Sequence, residues 1–462
     1  MKQHLLPASL LLAAHLLAPI RTTAQLIAGG SDHSLAVCND GSVKAWGSNS
    51  QGELGNGTNT YSNVPVQVSS LTGIVAIEAG AEHSIALKND GTVWAWGGNG
   101  SGQLGIGTPA GIHVVPELVS SLTGITAIGA GNNHSIFLKN DGTVWASGGG
   151  GPYGQLGNGT NLGSNIPVQV SSLTGITAIE SGSDHSLALK NDGTVWAWGR
   201  NLKGQLGNGT NINSNVPVQV SSLTGITAMG AGSFHSIALK TDGTVWAWGF
   251  NDYGTLGNGT NTDSNVPVQL NSLTEITAIG ADGYHSIALK NDGTVWVWGW
   301  NDYGQLGNGT STDSNVPAQV SSLTDITAIG EGQKHSIAIK NDGTVWAWGK
   351  NISGQLGNGS NTNSNVPVQV IGLCSVSIGV EERSDATSCK IFPNPTTGWF
   401  RVEHATSGAQ QLEIRNVMGQ EVYRSMGNAS LTQIDLTSQP AGIYFLTIRT
   451  SQQATTQRLI KH

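Results

Sequence analysis

The chain has 462 residues, enough for about three ordinary domains or for one long repeat array. Glycine supplies 65 of them, about twice its usual share of roughly 7%, and charged residues make up only 11%. This composition excludes a coiled coil and a highly charged disordered chain. Because 14 tryptophans and a hydrophobic share of 38% can supply hydrophobic cores, the glycines indicate turns in a folded, β-rich protein.

The net charge of −8 is unevenly distributed along the chain. Residues 25–373 carry 11 Lys and Arg against 22 Asp and Glu, a balance of −11. An acidic surface without a basic arm repels the phosphates of nucleic acids. The charge pattern therefore argues against DNA or RNA as a partner.

The first 24 residues are typical of an export signal. Lys2 supplies a short basic start, Leu5 to Ile20 are mostly apolar, and residues 22–24 form a small-residue site. We therefore expect a signal peptide over residues 1–24 that is cleaved between Ala24 and Gln25. No later stretch approaches the roughly 18–20 apolar residues that span a bilayer, so we expect no transmembrane segment in the mature chain.

A repeat of 50 or 51 residues dominates the chain up to residue 373. Its marker is a His-Ser pair that occurs in seven copies, beginning at His33, His83, His134, His185, His235, His285 and His335. A proline follows the same spacing, at Pro65, Pro116, Pro167, Pro217, Pro267, Pro317 and Pro367. Seven copies of one unit indicate an architecture in which each unit packs against its neighbours.

The second copy shows what each unit contains. His83–Lys88 leads into Asn-Asp-Gly, and the chain returns through Thr92–Gly97. Asp-Gly favours the positive φ of a tight hairpin turn, and both flanking runs suit strands. The runs Leu71–Gly80 and Val64–Val68 predict two further strands, the second with a proline suited to a sheet edge. Four short strands per unit predict an all-β, seven-bladed β-propeller over residues 25–373.

The first copy begins late, because Gln25 aligns with the end of the run Leu71–Ile77. After the seventh copy, the segment Leu373–Ile378 resembles the missing beginning. We therefore expect this segment to return to the first blade and help close the ring.

Three motifs within the repeat resemble a known family. They are Ala-Gly-x-x-His-Ser at 231–236, Asp-Gly-x-Val-Trp-x-Trp-Gly at 242–249 and Asn-x-x-Gly-Gln-Leu-Gly at 201–207. All three are similar to the regulator-of-chromosome-condensation (RCC) repeat, and the resemblance implies a seven-bladed propeller. The founding member is a nucleotide exchange factor for a nuclear small GTPase and docks on chromatin, whereas many relatives only bind partners. Nucleotide exchange is therefore one hypothesis for function, disfavoured by the export signal and the missing basic tail.

The composition changes after the repeat. We expect a linker over residues 374–389 and, over 390–462, a small Ig-like antiparallel β-sandwich. This expectation rests on a turn at Phe392–Gly398, a hairpin around Met418 and Gly419, and strands at Ala441–Leu446 and Arg458–Lys461. A generic adhesive sandwich is one interpretation of this pattern.

The ordered motifs of residues 390–462 more closely resemble the type A C-terminal sorting domain of the type IX (Por) secretion system. That system belongs to Gram-negative gliding bacteria and their relatives. The resemblance implies the secretion machinery as a partner, and export through the periplasm and across the outer membrane. Surface attachment or release would follow.

No catalytic constellation stands out from the repeat background. Zinc sites show close ligand pairs such as His-x3-His, and the repeat has no such pair. A histidine that occupies the same position in all seven repeats is more simply a structural hydrogen-bonding group. The repeated Asp-Gly acids are likewise turn formers. We therefore predict no catalytic residue, no metal and no cofactor.

The three cysteines allow one disulfide at most. Pairing Cys374 with Cys389 would close a local loop, whereas pairing Cys38 with Cys374 would lock the ring closure. Both pairings are compatible with an exported protein.

The variable positions of the repeat are the pair before each histidine and the loop after each Trp-Gly. Both open ends of a hairpin lie on the same side, so these positions are predicted to share one face of the disc. In the fifth and sixth copies they hold aromatic residues, with basic residues in neighbouring copies. The candidate ligand-binding residues are Phe234, Phe250, Tyr253, Tyr284, Trp300, Tyr303, Arg200, Lys203, Lys334 and Lys350.

Exposed aromatic rings beside cations have the composition of binding hot spots. The alternative explanation for these residues is sequence drift at loop positions, with the rings partly buried against neighbouring loops. We therefore expect a secreted or cell-surface scaffold, and not an enzyme, that recognises an extracellular protein or glycan, with adhesion as one role. The rival hypothesis is a propeller enzyme acting on extracellular carbohydrate or peptide in the central cavity. Acids that converge on the propeller axis would distinguish the two.

Overall fold

The structure is a computed structural model of the full chain. It describes residues 26–149, 151–374, 376, 390–392, 399–403, 410–416, 421–427, 431–439, 442–449 and 454–461. The chain divides into two compact units, the first ending at Ile378 and the second beginning at Gly379.

Several sequence predictions lie outside the described residues. They concern the signal peptide with its cleavage site at Ala24 and Gln25, most of the linker, and Cys389. The described residues contain no helix that is long and apolar enough to cross a membrane.

Each of the seven repeats forms one four-stranded antiparallel sheet, so the predicted propeller is confirmed. Within blade 2, His83 pairs with Gly97 at the open end of the central hairpin. The turn places Gly91 at a φ of 79°, which glycine adopts without steric cost. The backbone N–H of Thr92 donates to Asp90 Oδ1 at 2.9 Å. The Asp-Gly pair therefore fixes both the turn and the register of the two strands.

The strands of each blade follow one another from the propeller axis to the rim. Blade 1 contains β1 (Ile27–Gly29), β2 (His33–Val37), β3 (Val43–Gly47) and β4 (Ser62–Gln67). Blade 2 contains β5 (Ile74–Ala79), β6 (His83–Lys88), β7 (Val93–Gly98) and β8 (Ile112–Leu118). Blade 3 contains β9 (Ile125–Ala130), β10 (His134–Lys139), β11 (Val144–Gly148) and β12 (Ser164–Gln169). Blade 4 contains β13 (Ile176–Ser181), β14 (His185–Lys190), β15 (Val195–Gly199) and β16 (Ser214–Gln219).

The same order continues around the ring. Blade 5 contains β17 (Ile226–Ala231), β18 (His235–Lys240), β19 (Val245–Gly249) and β20 (Ser264–Leu270). Blade 6 contains β21 (Ile276–Asp282), β22 (His285–Lys290), β23 (Val295–Gly299) and β24 (Ser314–Gln319). Blade 7 contains β25 (Ile326–Gly332), β26 (His335–Lys340), β27 (Val345–Gly349) and β28 (Ser364–Gln369).

Hydrophobic cores lie between successive blades. Trp248 of β19 is fully buried and packs against Leu187 and Val195 of blade 4. Its Nε1–H donates to the carbonyl oxygen of Gln205 at 2.8 Å. The fully buried tryptophans at this position are Trp46, Trp96, Trp198, Trp248, Trp298 and Trp348. Each repeat therefore completes the core of its neighbour, as expected for strands covered on both faces.

The ring closes where the sequence predicts. Val376 is fully buried in a cluster formed with blades 1 and 7. Its N–H donates to the carbonyl oxygen of Gly343 at 3.5 Å. The equivalent hydrogen bond between blades 6 and 7 runs from the N–H of Ile326 to the carbonyl oxygen of Gly293. The segment after blade 7 thus supplies the missing start of blade 1. A disulfide between Cys38 and Cys374 joins the same two parts of the chain.

The second unit is a pair of antiparallel sheets with a common hydrophobic core. Strands β29 (Lys390–Phe392), β30 (Trp399–Glu403) and β33 (Leu431–Asp435) form one sheet in the order β29-β30-β33. Strands β31 (Gln410–Asn416), β32 (Glu421–Gly427), β34 (Gly442–Arg449) and β35 (Ala454–Lys461) form the other, in the order β32-β31-β34-β35. The predicted hairpin corresponds to β31 and β32, and the expected sandwich is confirmed.

Candidate ligand-binding face and axial cavity

Seven histidines form a closed ring of hydrogen bonds that joins each blade to the next. The Nε2 atom of each histidine lies 2.8–3.0 Å from the Oγ of the serine in the following His-Ser pair. The last bond, from His335 to Ser34, returns to blade 1. The Oγ–H of Ser236 donates to the carbonyl oxygen of Gln205, so this serine accepts from His185. The interpretation of these histidines as structural hydrogen-bonding groups is confirmed.

Burial makes these histidines poor bases. Each is fully buried, and desolvation lowers the imidazole pKa to about 3 or about 4. All seven imidazoles are therefore neutral at pH 7. Their hydrogen bonds to serine hold neighbouring blades together.

Six aromatic side chains of blades 5 and 6 form one continuous cluster. It consists of Phe234, Phe250, Tyr253, Tyr284, Trp300 and Tyr303, which we call the aromatic cluster. The ring of Tyr284 lies at its centre, with centroids 5.5–5.9 Å from those of four other members. Tyr303 extends the cluster at 5.4 Å from Trp300. Most of these ring pairs are tilted or edge-to-face, which are favourable arrangements for aromatic groups.

The hairpin geometry explains why these residues meet. The N–H of Phe250 donates to the carbonyl oxygen of Phe234 at 2.8 Å, and the N–H of Trp300 donates to that of Tyr284 at 2.9 Å. Each bond joins the loop after Trp-Gly to the residue before the histidine at the open end of one hairpin. The structure therefore brings all six aromatic residues singled out in the sequence to one place.

Burial divides the aromatic cluster into a base and a surface. Phe250 is only 7% exposed, so the expectation that it lies on the exposed surface is wrong. It is covered because the rings of Phe234, Tyr253 and Tyr284 surround it. Tyr253 is 36% exposed, and the other members are half-buried. Partial burial against neighbouring loops, the alternative explanation, thus applies to Phe250.

Three of the four basic residues beside the aromatic cluster, Arg200, Lys203 and Lys350, are already paired with acids. The Arg200 guanidinium lies 4.4 Å from the Phe234 ring centroid and 4.8 Å from that of Tyr153. Its Nη1 donates to Asp184 Oδ2 at 3.1 Å. An arginine placed between two rings and a carboxylate is held in one position.

The lysines follow the same arrangement on either side. Lys203 Nζ lies 3.1 Å from Asp263 Oδ2 and 4.9 Å from the Phe250 ring centroid. Lys350 Nζ lies 2.7 Å from Asp32 Oδ1, and both Lys350 and Lys334 lie about 6 Å from the ring of Tyr303. Carboxylates therefore balance three of the four predicted cations around the aromatic cluster.

Tyr153 is a contact residue that the sequence analysis missed. The signal was present, since Tyr153 precedes the Gly-x-Leu-Gly turn at the same repeat position as Tyr253 and Tyr303. An insertion beside it shifts the spacing of the third repeat and hides the correspondence.

A cavity of about 50 Å³ lies on the propeller axis, lined by the innermost strands of all seven blades. Four carboxyl side chains line it, those of Glu78, Glu180, Asp282 and Glu331. The Nε2–H of Gln333 in blade 7 donates to Asn132 Oδ1 in blade 3 at 2.6 Å, and both residues line the cavity. This bond crosses the axis beside the face that bears the aromatic cluster.

These axial acids are not among the residues predicted from the sequence, although the repeat contains a signal for them. Glu78 and Glu180 occupy an inner-strand position that is Ala or Gly in the other five repeats, and Asp282 replaces a glycine found in the other six. Without the fold, nothing marks these positions as lying on an axis. Among the described residues, no group of three or more His, Cys, Asp or Glu side chains is placed to hold a metal ion.

Comparison with protein families identifies both units. The family model of the RCC1-like domain matches residues 6–229 and 115–382, and that of the secretion system C-terminal sorting domain matches residues 390–462. The first therefore accounts for most of the chain.

Curated relatives match only part of the propeller. The chain is 31% identical over 178 residues to the E3 ubiquitin-protein ligase HERC2 of Homo sapiens, which is 37% of this chain and 4% of that protein. It is 31% identical over 180 residues to the Ultraviolet-B receptor UVR8 of Arabidopsis thaliana, 38% of this chain and 41% of that protein. The chain thus matches less than half the length of these relatives.

Solved structures match most of the chain. Yeast RCC1 (Prp20), in its complex with Kap60, superposes with a TM-score of 0.67 at 22% identity, covering 80% of this chain and 91% of that chain. Human WBSCR16 gives a TM-score of 0.65 at 23% identity, covering 71% and 93%. At these identities the likeness shows the fold alone. The chain belongs to the RCC1-like domain family, and its residues 390–462 are a secretion system C-terminal sorting domain.

Proposed function

We propose that this protein is an exported binding scaffold, carried to the cell surface or released, whose ligand site is the aromatic cluster. One observation carries the proposal: six aromatic side chains from two adjacent blades converge at the open ends of their hairpins. The matching positions of blades 1 and 2 hold mostly Ser, Gly, Asn, Asp and Glu. The sorting domain supports delivery by the type IX system, with its machinery as a partner.

The chemistry of the aromatic cluster suits a hot spot. Trp300, Tyr303, Tyr284 and Tyr253 each keep part of their surface exposed while neighbouring rings hold them in place. A rigid aromatic group loses little conformational entropy when a ligand covers it, so most of its contact energy contributes to affinity. The buried Phe250 supports these rings from below.

The charges around the aromatic cluster indicate which ligands are disfavoured. Arg200, Lys203 and Lys350 each have a carboxylate partner within 3.1 Å. A polyanion would have to displace these carboxylates, so the surface fits an uncharged or mixed-charge ligand better. An extracellular protein or glycan meets that requirement, and nucleic acid does not.

The rival hypothesis, a propeller enzyme, now has a specific observation in its favour. Acids do converge on the axis, as that hypothesis requires. However, the cavity of about 50 Å³ is far smaller than the roughly 300–1,000 Å³ of small-molecule sites, and a hydrogen bond between Gln333 and Asn132 crosses it. A sugar or peptide would not fit beside the carboxyl groups, so binding remains the better-supported function.

A capture experiment tests the proposal. The mature protein would be applied to a glycan array and to surface extracts of bacteria and host cells, alongside a variant carrying Trp300→Ala and Tyr303→Ala. We expect a captured ligand whose affinity falls at least tenfold in the variant, since hot-spot truncation costs about 2 kcal/mol or more. The control is Tyr61→Ala, because Tyr61 is 59% exposed on the rim of blade 1.

The result would be interpreted by comparing the two variants. Unchanged unfolding in both, with lost binding only in the aromatic-cluster variant, would support the proposal. Equal affinity of the wild type and the aromatic-cluster variant for every captured ligand would reject the aromatic cluster as the site. Phe250→Ala is unsuitable here because it would leave a cavity beneath the aromatic cluster.

A further inference from the structure

The axial cavity concentrates acidic groups without a basic partner. Of the side chains that line it, four are carboxyls and none is Lys, Arg or His. The carboxyls come from blades 2, 4, 6 and 7. They are therefore brought together by closure of the ring and not by a local sequence motif. Four ionised carboxylates in so small a space would repel one another strongly.

Two of the oxygen atoms in this region lack any partner. Glu331 Oε1 and Ser181 Oγ are buried and make no hydrogen bond within the part of the chain that the structure describes. The Glu331 carboxyl lies in space that Gly280 leaves free, since a Cβ built there would lie 1.1 Å from Oε1. Buried unpaired oxygen atoms require a proton, a water molecule or an ion.

The surroundings favour the protonated form of these acids. Burial first, and then the charges of Glu180, Glu331 and Asp282, raise the pKa of Glu78 well above its ordinary value. Burial raises the pKa of Glu180 to about 8 and that of Asp282 to about 7. Burial, with Asp282 and Glu180 nearby, raises the pKa of Glu331 to about 8.

The titratable groups one layer further out do not offset this effect. The seven histidines pack against the inner strands, as His83 does against Gly80, and their lowered pKa keeps them neutral. Direct metal coordination is also disfavoured, because no three acidic side chains among the described residues are placed to hold one ion. A cavity of about 50 Å³ has room for roughly three to five water molecules, at about 10–15 Å³ each.

We propose that the axial cavity is a proton-binding site. The carboxyl groups of Glu78, Glu180, Asp282 and Glu331, each half-buried at the cavity wall, hold protons and bind water in the folded disc at neutral pH. Loss of those protons in alkali leaves like charges on four different blades and loosens the inner strands that close the ring.

The direction of the pH effect follows from linkage. A group whose folded pKa lies above its unfolded pKa stabilises the fold fully below the unfolded value and loses that contribution as the pH rises through the folded value. For Glu180, Asp282 and Glu331 the contribution is lost as the pH rises through about 7 to 8, and the raised pKa of Glu78 acts in the same direction.

Infrared spectroscopy of the full-length protein tests the proposal directly. Protonated carboxyl groups absorb at higher frequency than carboxylates, so we expect a protonated-carboxyl band at pH 7 that disappears at strongly alkaline pH. The variant Glu180→Gln with Glu331→Gln, which keeps the side-chain size, should lose about half of the axial contribution to that band. The control Glu82→Gln removes an exposed carboxyl and should leave the band unchanged.

Chemical unfolding supplies a second readout. The wild-type denaturation midpoint should fall between pH 6 and pH 9, and the fall should be smaller in the double variant. Absence of a protonated-carboxyl band at pH 7 in the folded wild type would overturn the proposal, whether or not the variant folds. So would loss of that band on addition of calcium at pH 7, because the cavity would then be a cation site.

Discussion

The disulfide between Cys38 and Cys374 links the residue that follows β2 of blade 1 to the segment that follows blade 7. It lies beside Val376, which contributes to the core shared by these blades. We expect the variant Cys38→Ser with Cys374→Ser to retain the propeller fold, because every other contact at the junction remains. We also expect a large loss of stability, and the sequence separation explains its size.

Cys38 and Cys374 are 336 residues apart in the sequence. A crosslink stabilises a fold chiefly by reducing the entropy of the unfolded chain, by about 2.1 + 1.5R ln n cal/mol/K for a loop of n residues. For this loop the expression gives about 6 kcal/mol at 25 °C, against about 3 kcal/mol for a 15-residue loop such as Cys374 to Cys389. Since whole domains are stable by roughly 5–15 kcal/mol, we expect a loss of about 4–6 kcal/mol.

The assay is urea unfolding of the wild type, the double variant and the control Cys389→Ser, each under oxidising and reducing conditions. The double variant should match the reduced wild type, and Cys389→Ser should match the oxidised wild type. Equal midpoints for the oxidised wild type and the double variant would refute the entropic argument. A loss caused by Cys389→Ser would instead show that the local pairing is the one that forms.

Three further predictions follow from the repeat. Because burial lowers the pKa of the seven ring histidines to about 3 or 4, their contribution to stability is present above about pH 6.5 and is lost as the pH falls toward 4. The free energy of unfolding then falls by up to about 1.4 kcal/mol per pH unit for each histidine. A far-ultraviolet circular dichroism titration that shows no cooperative acid unfolding would contradict this prediction. Gly254→Ala should destabilise the disc by clearly more than Gly309→Ala, because a Cβ at 254 would lie 2.3 Å from Asn315 Cα whereas one at 309 meets no atom within 4 Å. Both glycines have positive φ, so an alanine at either position also costs about 1–2 kcal/mol of backbone strain. Equal thermal midpoints of the two variants would disprove the clash at 254. Trp248→Phe should lower the free energy of unfolding in urea by only about 1–2 kcal/mol. The Gln205 carbonyl loses the indole N–H but still accepts a hydrogen bond from the Ser236 hydroxyl. A loss as large as that of Trp248→Ala, about 3–5 kcal/mol, would show that this reasoning is wrong.

Much of the fold could be predicted because its determinants are local. The turn at Asp90 and Gly91 needs only two neighbouring residues, and the strand His83–Lys88 is recognisable from its own composition. A period of about 50 residues then implies that each unit packs on the next, so blade number and order follow from counting. The aromatic cluster could be predicted for the same reason, since its members occupy repeat positions at hairpin ends.

Contacts between distant repeats could not be predicted in this way. The sequence permits Cys374 to pair with either of two cysteines, and only the closed ring places it beside Cys38. It shows Arg200 as a free cation, whereas the fold places Asp184 and two aromatic rings around it. Whether Phe250 is exposed depends on three rings from its own and the next blade.

The axial acids mark the boundary between the two kinds of information most clearly. The sequence by itself determined the blades, because hairpin turns and strand periodicity are set by residues within one repeat. Only the tertiary structure decided that Glu78, Glu180, Asp282 and Glu331 share one cavity. Their raised pKa values arise from burial and mutual repulsion, and both exist only after seven blades have closed around a common axis.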